Sequence, residues 1–127
     1  MSAQENKAIS NRVAQAISEG HLDALDDLMA PQLAEDFKRD VSELRRAFPD
    51  YAGTNVEQIA EGEKVANRFV FLGTHLGEFE GMTPTGKRIE FLGHSIDRVV
   101  EGKIVESWVE VDMLGVMQQL GAVPEAG

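Results

Sequence analysis

The stretch from Gly102 to Gly121, GKIVESWVEVDMLGVMQQLG, decides the fold of this chain. Its first half alternates with a period of two and is rich in β-branched residues, which predicts a strand. The alternation sorts the strand onto two faces: one carries Glu106, Trp108, Glu110 and Asp112, and the other carries Val105, Ser107, Val109 and Val111. A strand face that is open to solvent rarely carries a tryptophan, and a face that packs in the core rarely carries acidic residues. We therefore expect this face to line a pocket, with Asp112 deep inside it.

Composition limits the possible classes of protein. The 127 residues predict a single domain spanning positions 1–127, and the net charge of -10 argues against nucleic acid as a partner. The absence of cysteine excludes disulfides and thiolate metal sites. No apolar run approaches the roughly 20 residues of a membrane span, and the polar start does not resemble a signal peptide. These features predict a cytoplasmic protein that does not associate with membranes.

The first half of the chain has helical periodicity. A helix is expected over 3–18, because Ser2 and Glu5 form a capping-box pattern and Gly20 follows as a stop. A shorter helix is expected over 22–29, closed by Pro31, and a third over 40–47, ended by Phe48 and Pro49.

The second half has the pattern of strands. Strands are expected over 54–61, 64–75, 88–100 and 103–111, followed by a closing helix over 112–120 and a loose tail. Helices followed by a strand meander predict an α+β domain, in which the helices pack on one face of a mostly antiparallel sheet. When such a sheet curls around its helices, a cavity is left between the two layers.

The dipeptide Glu101-Gly102 occupies the place of a two-residue hairpin turn. If Val100 pairs with Lys103, the expected cross-strand neighbours on the pocket face are Ser95 with Trp108, Gly93 with Glu110, and Phe91 with Asp112. The other face then carries Leu92, His94, Ile96, Val105, Val109 and Val111. That face is too apolar for water, so we expect it to pack on a second subunit in a homodimer or homotetramer. A one-residue bulge would exchange the two faces.

Several segments together resemble the SnoaL-like polyketide cyclases, which have the nuclear transport factor 2-like cone fold. They are AFPDY at 47–51, GTHLGEFEG from Gly73, PTGKRIEF from Pro84, and the opening stretch itself. The resemblance covers almost the whole chain, and the motifs are specific in combination. It implies a cone-shaped α+β barrel, with the N-terminal helices packed in a curved sheet.

The resemblance also implies an activity. The family's cyclases close the last ring of a polyketide methyl ester by an intramolecular aldol condensation, without a metal or cofactor. An acidic residue of the final strand acts as acid and base, and Asp112 is the residue here that resembles it. Asp112 also has a structural interpretation as the N-cap of the closing helix, and the two roles do not exclude each other. The expected ligand is a flat hydrophobic small molecule, which suits a wall containing Trp108 and Phe91.

Other side chains have both a functional and a structural interpretation. His75 could shuttle a proton or bind a substrate carbonyl, or it could hold the glycine-rich loop in place. His94 could contact substrate or lie in an interface, and Ser95 is expected on the pocket wall. Glu110 could raise the pKa of Asp112 by repulsion, or could pair with an arginine. The three histidines lack metal-ligand spacing, so no metal site is predicted.

Three alternatives to the cyclase remain open. A ketosteroid isomerase pattern needs a tyrosine in the first helix, whereas the chain's single tyrosine is Tyr51, beyond the third expected helix. An epoxide hydrolase pattern needs an Asp–Arg–Asp set, but the adjacent Asp97 and Arg98 point to opposite faces. The third alternative is a non-catalytic module that binds a small molecule in the same cone fold.

Overall fold

The computed structural model describes residues 2–123 and contains four helices and four strands. The expected loose tail is AVPEAG at 122–127, of which residues 124–127 lie outside the described residues. In chain order the elements are α1 (Ala3–Glu19), a 3-10 turn (Leu22–Ala24), α2 (Leu25–Leu28), α3 (Pro31–Ala47), β1 (Ala52–Glu61), β2 (Lys64–Thr74), β3 (Arg88–Val100), β4 (Lys103–Val111) and α4 (Met113–Leu120).

Helix α1 begins and ends as its sequence predicts. The Ser2 hydroxyl accepts the backbone N–H of Glu5, and the Glu5 carboxylate accepts the backbone N–H of Ser2, both at 3.1 Å. Gly20 ends the helix with a φ of 73°, in the left-handed region that favours glycine. The buried stripe of α1 includes Ile9, Val13 and Ile17 and packs on the sheet.

Helix α3 is longer than the sequence pattern indicates. Pro31 occupies its first turn, where a missing N–H costs nothing, so this proline begins α3 in addition to ending the preceding segment. The prediction of a helix confined to 40–47 is therefore wrong for its first two turns. The added turns bring Phe37 to the cavity described below.

The four strands form an antiparallel sheet in the order β1-β2-β3-β4. The β3–β4 hairpin turns at Glu101 and Gly102, whose φ values of 49° and 81° are those of a type I′ turn. Val100 pairs with Lys103 as expected. The sheet curves around α1 and α3, with bulges in β1 between Asn55 and Glu57 and in the β3–β4 pair.

The bulge in β4 changes the expected register. Val99 pairs with Ile104, but Arg98 pairs with Glu106, so Val105 is an extra residue without a partner. From that point the pairs are Asp97 with Ser107, Ser95 with Val109, and Gly93 with Val111. The predicted register is wrong beyond the turn, because the inserted residue rotates the rest of β4 onto the opposite face.

An aromatic cluster fills one end of the fold. The Phe91 ring lies 5.0 Å from the Phe48 ring and 5.2 Å from the Tyr51 ring, edge to face in both cases. Tyr51 stacks on Phe71 at 4.8 Å. Such pairs stabilise a fold beyond the area they bury, and two rings of the cluster, Tyr51 and Phe71, also line the cavity described below.

Candidate active site

A cavity of about 270 Å³ lies between the inner face of the sheet and helices α1 and α3. Its walls are mostly apolar and come from six elements (α1, α3 and all four strands) and the segments that join them. They include Val13, Ala14, Ile17, Met29, Phe37, Val41, Leu44, Tyr51, Phe69, Phe71, Val109 and Val111. The polar lining residues are Ser10, Asp40, Asn55, Asn67, Ser95, Asp97 and Ser107. An apolar cavity with a few convergent polar groups is the usual form of a small-molecule site.

Asp97 is the buried acid of this cavity. It lies on the inner face of β3, because it is separated by even steps from Gly93 and Ser95, and only 7% of it is exposed. Its Oδ2 accepts the Ser10 hydroxyl at 2.7 Å and the amide of Asn67 at 3.0 Å. Its Oδ1 accepts the Ser107 hydroxyl at 2.6 Å. Three elements (α1, β2 and β4) therefore hold one carboxyl group.

Burial sets the proton affinity of this carboxyl group. Desolvation raises the pKa of Asp97 above its ordinary value, and the hydrogen bonds from Ser107, Ser10 and Asn67 lower it by less. A carboxylate offers about four lone-pair positions, so three hydrogen bonds leave one position, on Oδ1, open. Asp97 is thus a stronger base than an exposed aspartate and retains a free lone pair on a cavity-lining side chain.

Tyr51 is a further residue of the cavity wall that carries a polar group. Burial raises the pKa of Tyr51 far above its ordinary value, so its hydroxyl stays protonated. Within residues 2–123, no side chain or carbonyl accepts a hydrogen bond from it. The O–H is therefore available to a ligand, although Tyr51 lies beyond α3 and not in α1.

The absence of a side chain at Gly93 shapes the cavity wall. A Cβ atom built on Gly93 would lie 2.4 Å from Cζ of Phe69 and 2.5 Å from the carbonyl oxygen of Glu110. The edge of the Phe69 ring thus packs close to the backbone of β3 at Gly93, and Phe69 also lines the cavity. A larger residue at position 93 would therefore displace this part of the wall.

The bulge moves three predicted site residues out of the cavity. Trp108 is 50% exposed on the outer face, and Glu110 is exposed beside it. Asp112 is also exposed, and its Oδ1 accepts the backbone N–H of Gly115 at 2.9 Å as the N-cap of α4. The expectation that Asp112 lies deep in a pocket with Trp108 on its wall is wrong. Val109 and Val111, expected outside, line the cavity instead.

The expected residues of β3 divide between three environments. Ser95 lines the cavity, and its Oγ accepts the amide of Asn67 at 3.0 Å. Phe91 faces inward but belongs to the aromatic cluster. His94 is exposed on the outer face, where it shares a groove of about 470 Å³ with Glu110 and Asp112.

His75 is fully buried and holds the loop that follows β2. Its Nδ1 accepts the backbone N–H of Thr85 at 3.1 Å and lies 3.0 Å from the Thr85 hydroxyl. This contact places the proton on Nε2, for which residues 2–123 offer no partner. The ring lies 5.5 Å from that of Phe48 and does not line the cavity.

The part of the chain that the structure describes has neither a metal-ligand cluster nor a helix that could span a membrane. Among residues 2–123, no three His, Cys, Asp or Glu side chains are grouped so that they could hold a metal ion. In the same range, none of the helices has the length and apolar character that a membrane span requires.

The family model for SnoaL-like polyketide cyclases matches residues 6–120. The chain belongs to this family. A curated relative, the aklanonic acid methyl ester cyclase DnrD of Streptomyces peucetius, is 33% identical over 108 residues, which cover 83% of this chain and 71% of DnrD. The resemblance in sequence and the cone architecture therefore agree.

Solved structures of the SnoaL-like family superpose closely on this chain. AclR of Streptomyces galilaeus, described as a proposed hydroxylase, has a TM-score of 0.90 and 28% identity over 99% of this chain and 87% of its own. IdmH of Streptomyces antibioticus, a proposed polyketide cyclase, has a TM-score of 0.82 and 29% identity over 93% of this chain and 99% of its own. The fold is thus shared by proteins described with different activities.

Proposed function

We propose that the protein is a polyketide cyclase-type enzyme that closes a ring by cofactor-free intramolecular aldol condensation. The observation that carries the proposal is Asp97, a buried carboxyl group on a mostly apolar cavity, with one lone-pair position that no donor among residues 2–123 occupies. The resemblance points to an acid on the final strand, yet β4 directs Ser107, Val109 and Val111 inward. We therefore assign the acid and base role to Asp97 on β3 in place of Asp112.

The chemistry follows from the properties of this carboxylate. Oδ1 of Asp97 removes a proton from a carbon that lies between two carbonyl groups, and the electron pair delocalises as an enolate. The enolate carbon attacks the carbon of a further, electrophilic carbonyl group of the same molecule, forming the C–C bond as that C=O π bond breaks. The resulting alkoxide takes the proton back from Asp97, so the carboxylate is regenerated and no proton is gained or lost.

The cavity supports this reaction by positioning its substrate. Phe69, Phe71 and Tyr51 offer flat apolar surfaces to a polycyclic aromatic ligand. The volume of about 270 Å³ is near the lower end of the range for ligand sites, which is roughly 300–1,000 Å³. A ligand held this closely keeps its reacting carbons together, which lowers the entropic part of the barrier.

The Tyr51 hydroxyl favours a second candidate reaction. A ketone isomerase needs a carboxylate base and a neutral hydrogen-bond donor for the enolate oxygen, and Asp97 and Tyr51 could fill these two roles. Such an enzyme moves a proton between two carbons of a ketone. Both reactions begin with the same enolate. They differ in whether the substrate carries a further, electrophilic carbonyl group within reach of the enolate carbon.

We also propose that the outer sheet face packs on a second copy of the chain. After correction for the bulge, this face presents Leu92, Ile96 and Trp108, each between 43% and 50% exposed. Burying such side chains is favourable, and the face is continuous across β3 and β4. A molecular mass measured by light scattering should be that of a dimer or tetramer. The monomer mass for the wild type at micromolar concentration would contradict this part of the proposal.

The catalytic proposal is tested by turnover of anthraquinone-type methyl esters, including aklanonic acid methyl ester. Wild type, Asp97→Asn and Asp112→Asn are compared, because the second substitution is matched in chemistry but lies outside the cavity. We expect Asp97→Asn to lose at least a hundredfold in kcat/KM and Asp112→Asn to retain wild-type activity. Equal activity of Asp97→Asn and wild type would contradict the assignment. No wild-type turnover, with ligands that still raise the melting temperature, would favour a non-catalytic binding module.

A further inference from the structure

The neighbours of Asp97 continue into a row of amide side chains across the sheet. Gln58 of β1 pairs with Asn67 of β2, and Asn67 pairs with Ser95 of β3, so the three side chains share the inner face. The Asn67 amide reaches diagonally to Asp97, which lies two residues beyond Ser95. At the other end, the amide of Asn11 on α1 donates to Oε1 of Gln58 at 3.0 Å.

A backbone carbonyl group fixes the direction of this row. Nε2 of Gln58 donates to the carbonyl oxygen of Lys7 at 3.1 Å, and that oxygen can only accept. The same Nε2 donates to Oδ1 of Asn67 at 2.9 Å. Because Oδ1 of Asn67 faces Gln58, its N–H groups must face Asp97 and Ser95, each at 3.0 Å. The orientation of both amides thus follows from one main-chain acceptor on α1.

We propose that Gln58 is a positioning residue that holds the Asn67 amide on Asp97 and thereby sets the proton affinity of the catalytic carboxyl group. The catalytic meaning of this inference rests on the proposed role of Asp97. Gln58 itself does not line the cavity and acts through Asn67. A hydrogen bond to an ionised group stabilises that form more than a bond between neutral groups does, so loss of the Asn67 donor favours the protonated form.

Few other ionisable groups face Asp97 from the surrounding elements. Its direct neighbours on α1, β2 and β4 are a serine, an asparagine and a serine, none of which is charged. The other ionisable residues that line the cavity are Asp40 of α3 and Tyr51. Asp40 has a 71% exposed side chain 3.5 Å from that of Arg39, and Tyr51 stays neutral. The proton affinity of Asp97 therefore depends on burial and on the uncharged donors Ser107, Ser10 and Asn67, and the amide row orients the last of these.

The test is a ¹³C NMR titration of the Asp97 carboxyl carbon, assigned by its absence from the spectrum of Asp97→Asn. Gln58→Met removes the donor without adding charge. Gln58→Glu replaces it by an acceptor that attracts the Asn67 amide away from Asp97. We expect the titration midpoint of the Asp97 carboxyl group to be higher in Gln58→Met than in the wild type. In Gln58→Glu it should rise by about one pH unit or more.

Ile59→Glu is the matched control, because it adds the same charge one residue away on a 67% exposed side chain. Its midpoint should stay near that of the wild type. The inference is overturned if Gln58→Met leaves the midpoint in place, whether the variant is less stable or not. It is also overturned if Ile59→Glu moves the midpoint as far as Gln58→Glu does. The titration needs no substrate, so its result is independent of whether the proposed turnover is found.

Discussion

The buried carboxyl group of Asp97 should lower the free energy of unfolding of the wild type as the pH rises. Replacing Asp97 with asparagine should remove this pH dependence. The pKa of Asp97 is raised by burial above the ordinary value of 3.8, so the folded chain retains this proton at pH values where the unfolded chain has released it. Between the two pKa values, a rise in pH therefore favours the unfolded state. The free energy of unfolding falls by up to about 1.4 kcal/mol per pH unit in that window and is level above it.

The variant is expected to keep the fold. The asparagine oxygen can accept from Ser10 and Asn67, and its N–H can donate to the oxygen of Ser107. Urea unfolding of both proteins between pH 4 and 8 (roughly the span around such a carboxyl group) gives the difference in unfolding free energy at each pH.

We expect the difference, wild type minus Asp97→Asn, to fall as pH rises and then to level off. Asp112→Asn serves as the control, since asparagine is an equally good N-cap and the residue is exposed. Its unfolding free energy should stay within about 0.5 kcal/mol of the wild type. A difference for Asp97→Asn that is constant or rises with pH would refute the reasoning.

Three further predictions concern the cavity wall, the outer face and the loop. Gly93→Ala should lower the unfolding free energy by about 1–3 kcal/mol and weaken binding of a cavity ligand, because the new Cβ displaces the Phe69 ring; unchanged affinity in a titration would contradict this. In protein diluted until it is monomeric, Trp108, the only tryptophan, should be quenched readily by acrylamide with and without a cavity ligand, and a shielded indole under these conditions would contradict its outward position. His75→Ala should cost about 2 kcal/mol or more and increase proteolysis within 76–87, because Thr85 loses its anchor; an unaltered cleavage rate would contradict that role.

Features that depend on neighbouring residues in the chain could be predicted from the sequence. The capping box of Ser2 and Glu5 and the turn at Glu101-Gly102 are local, and both are present as expected. The strands of the meander follow from alternation and are placed within about two residues. The curvature of the sheet could be expected from the family resemblance alone, because neither the periodicity of the strands nor the composition carries information about curvature.

Features that depend on contacts between distant segments could not be predicted. The extra residue Val105 is an ordinary strand residue, and only its pairing with β3 reveals the bulge that rotates Trp108 and Asp112 outward. The start of α3 was missed because Pro31 suits both the end of one helix and the start of the next.

The candidate acid was partly visible in the sequence. Alternation along β3 puts Asp97 on the same face as Gly93 and Ser95, a signal that could have identified it. Its importance comes from Ser10 and Asn67, which lie 87 and 30 residues away in the chain. No local pattern brings these three side chains together, whereas the packing of α1 on the sheet does.

The most direct test of the central claim follows the proton that Asp97 is proposed to remove. In ²H₂O, the enzyme should exchange the hydrogen on the carbon between the two carbonyl groups of a bound polyketide ester, even when ring closure is blocked by removal of the separate electrophilic carbonyl group. Proton NMR should show this exchange with the wild type and Asp112→Asn, and its loss with Asp97→Asn. Exchange that persists in Asp97→Asn and disappears in Asp112→Asn would contradict the account, because the acid and base role would then belong to Asp112.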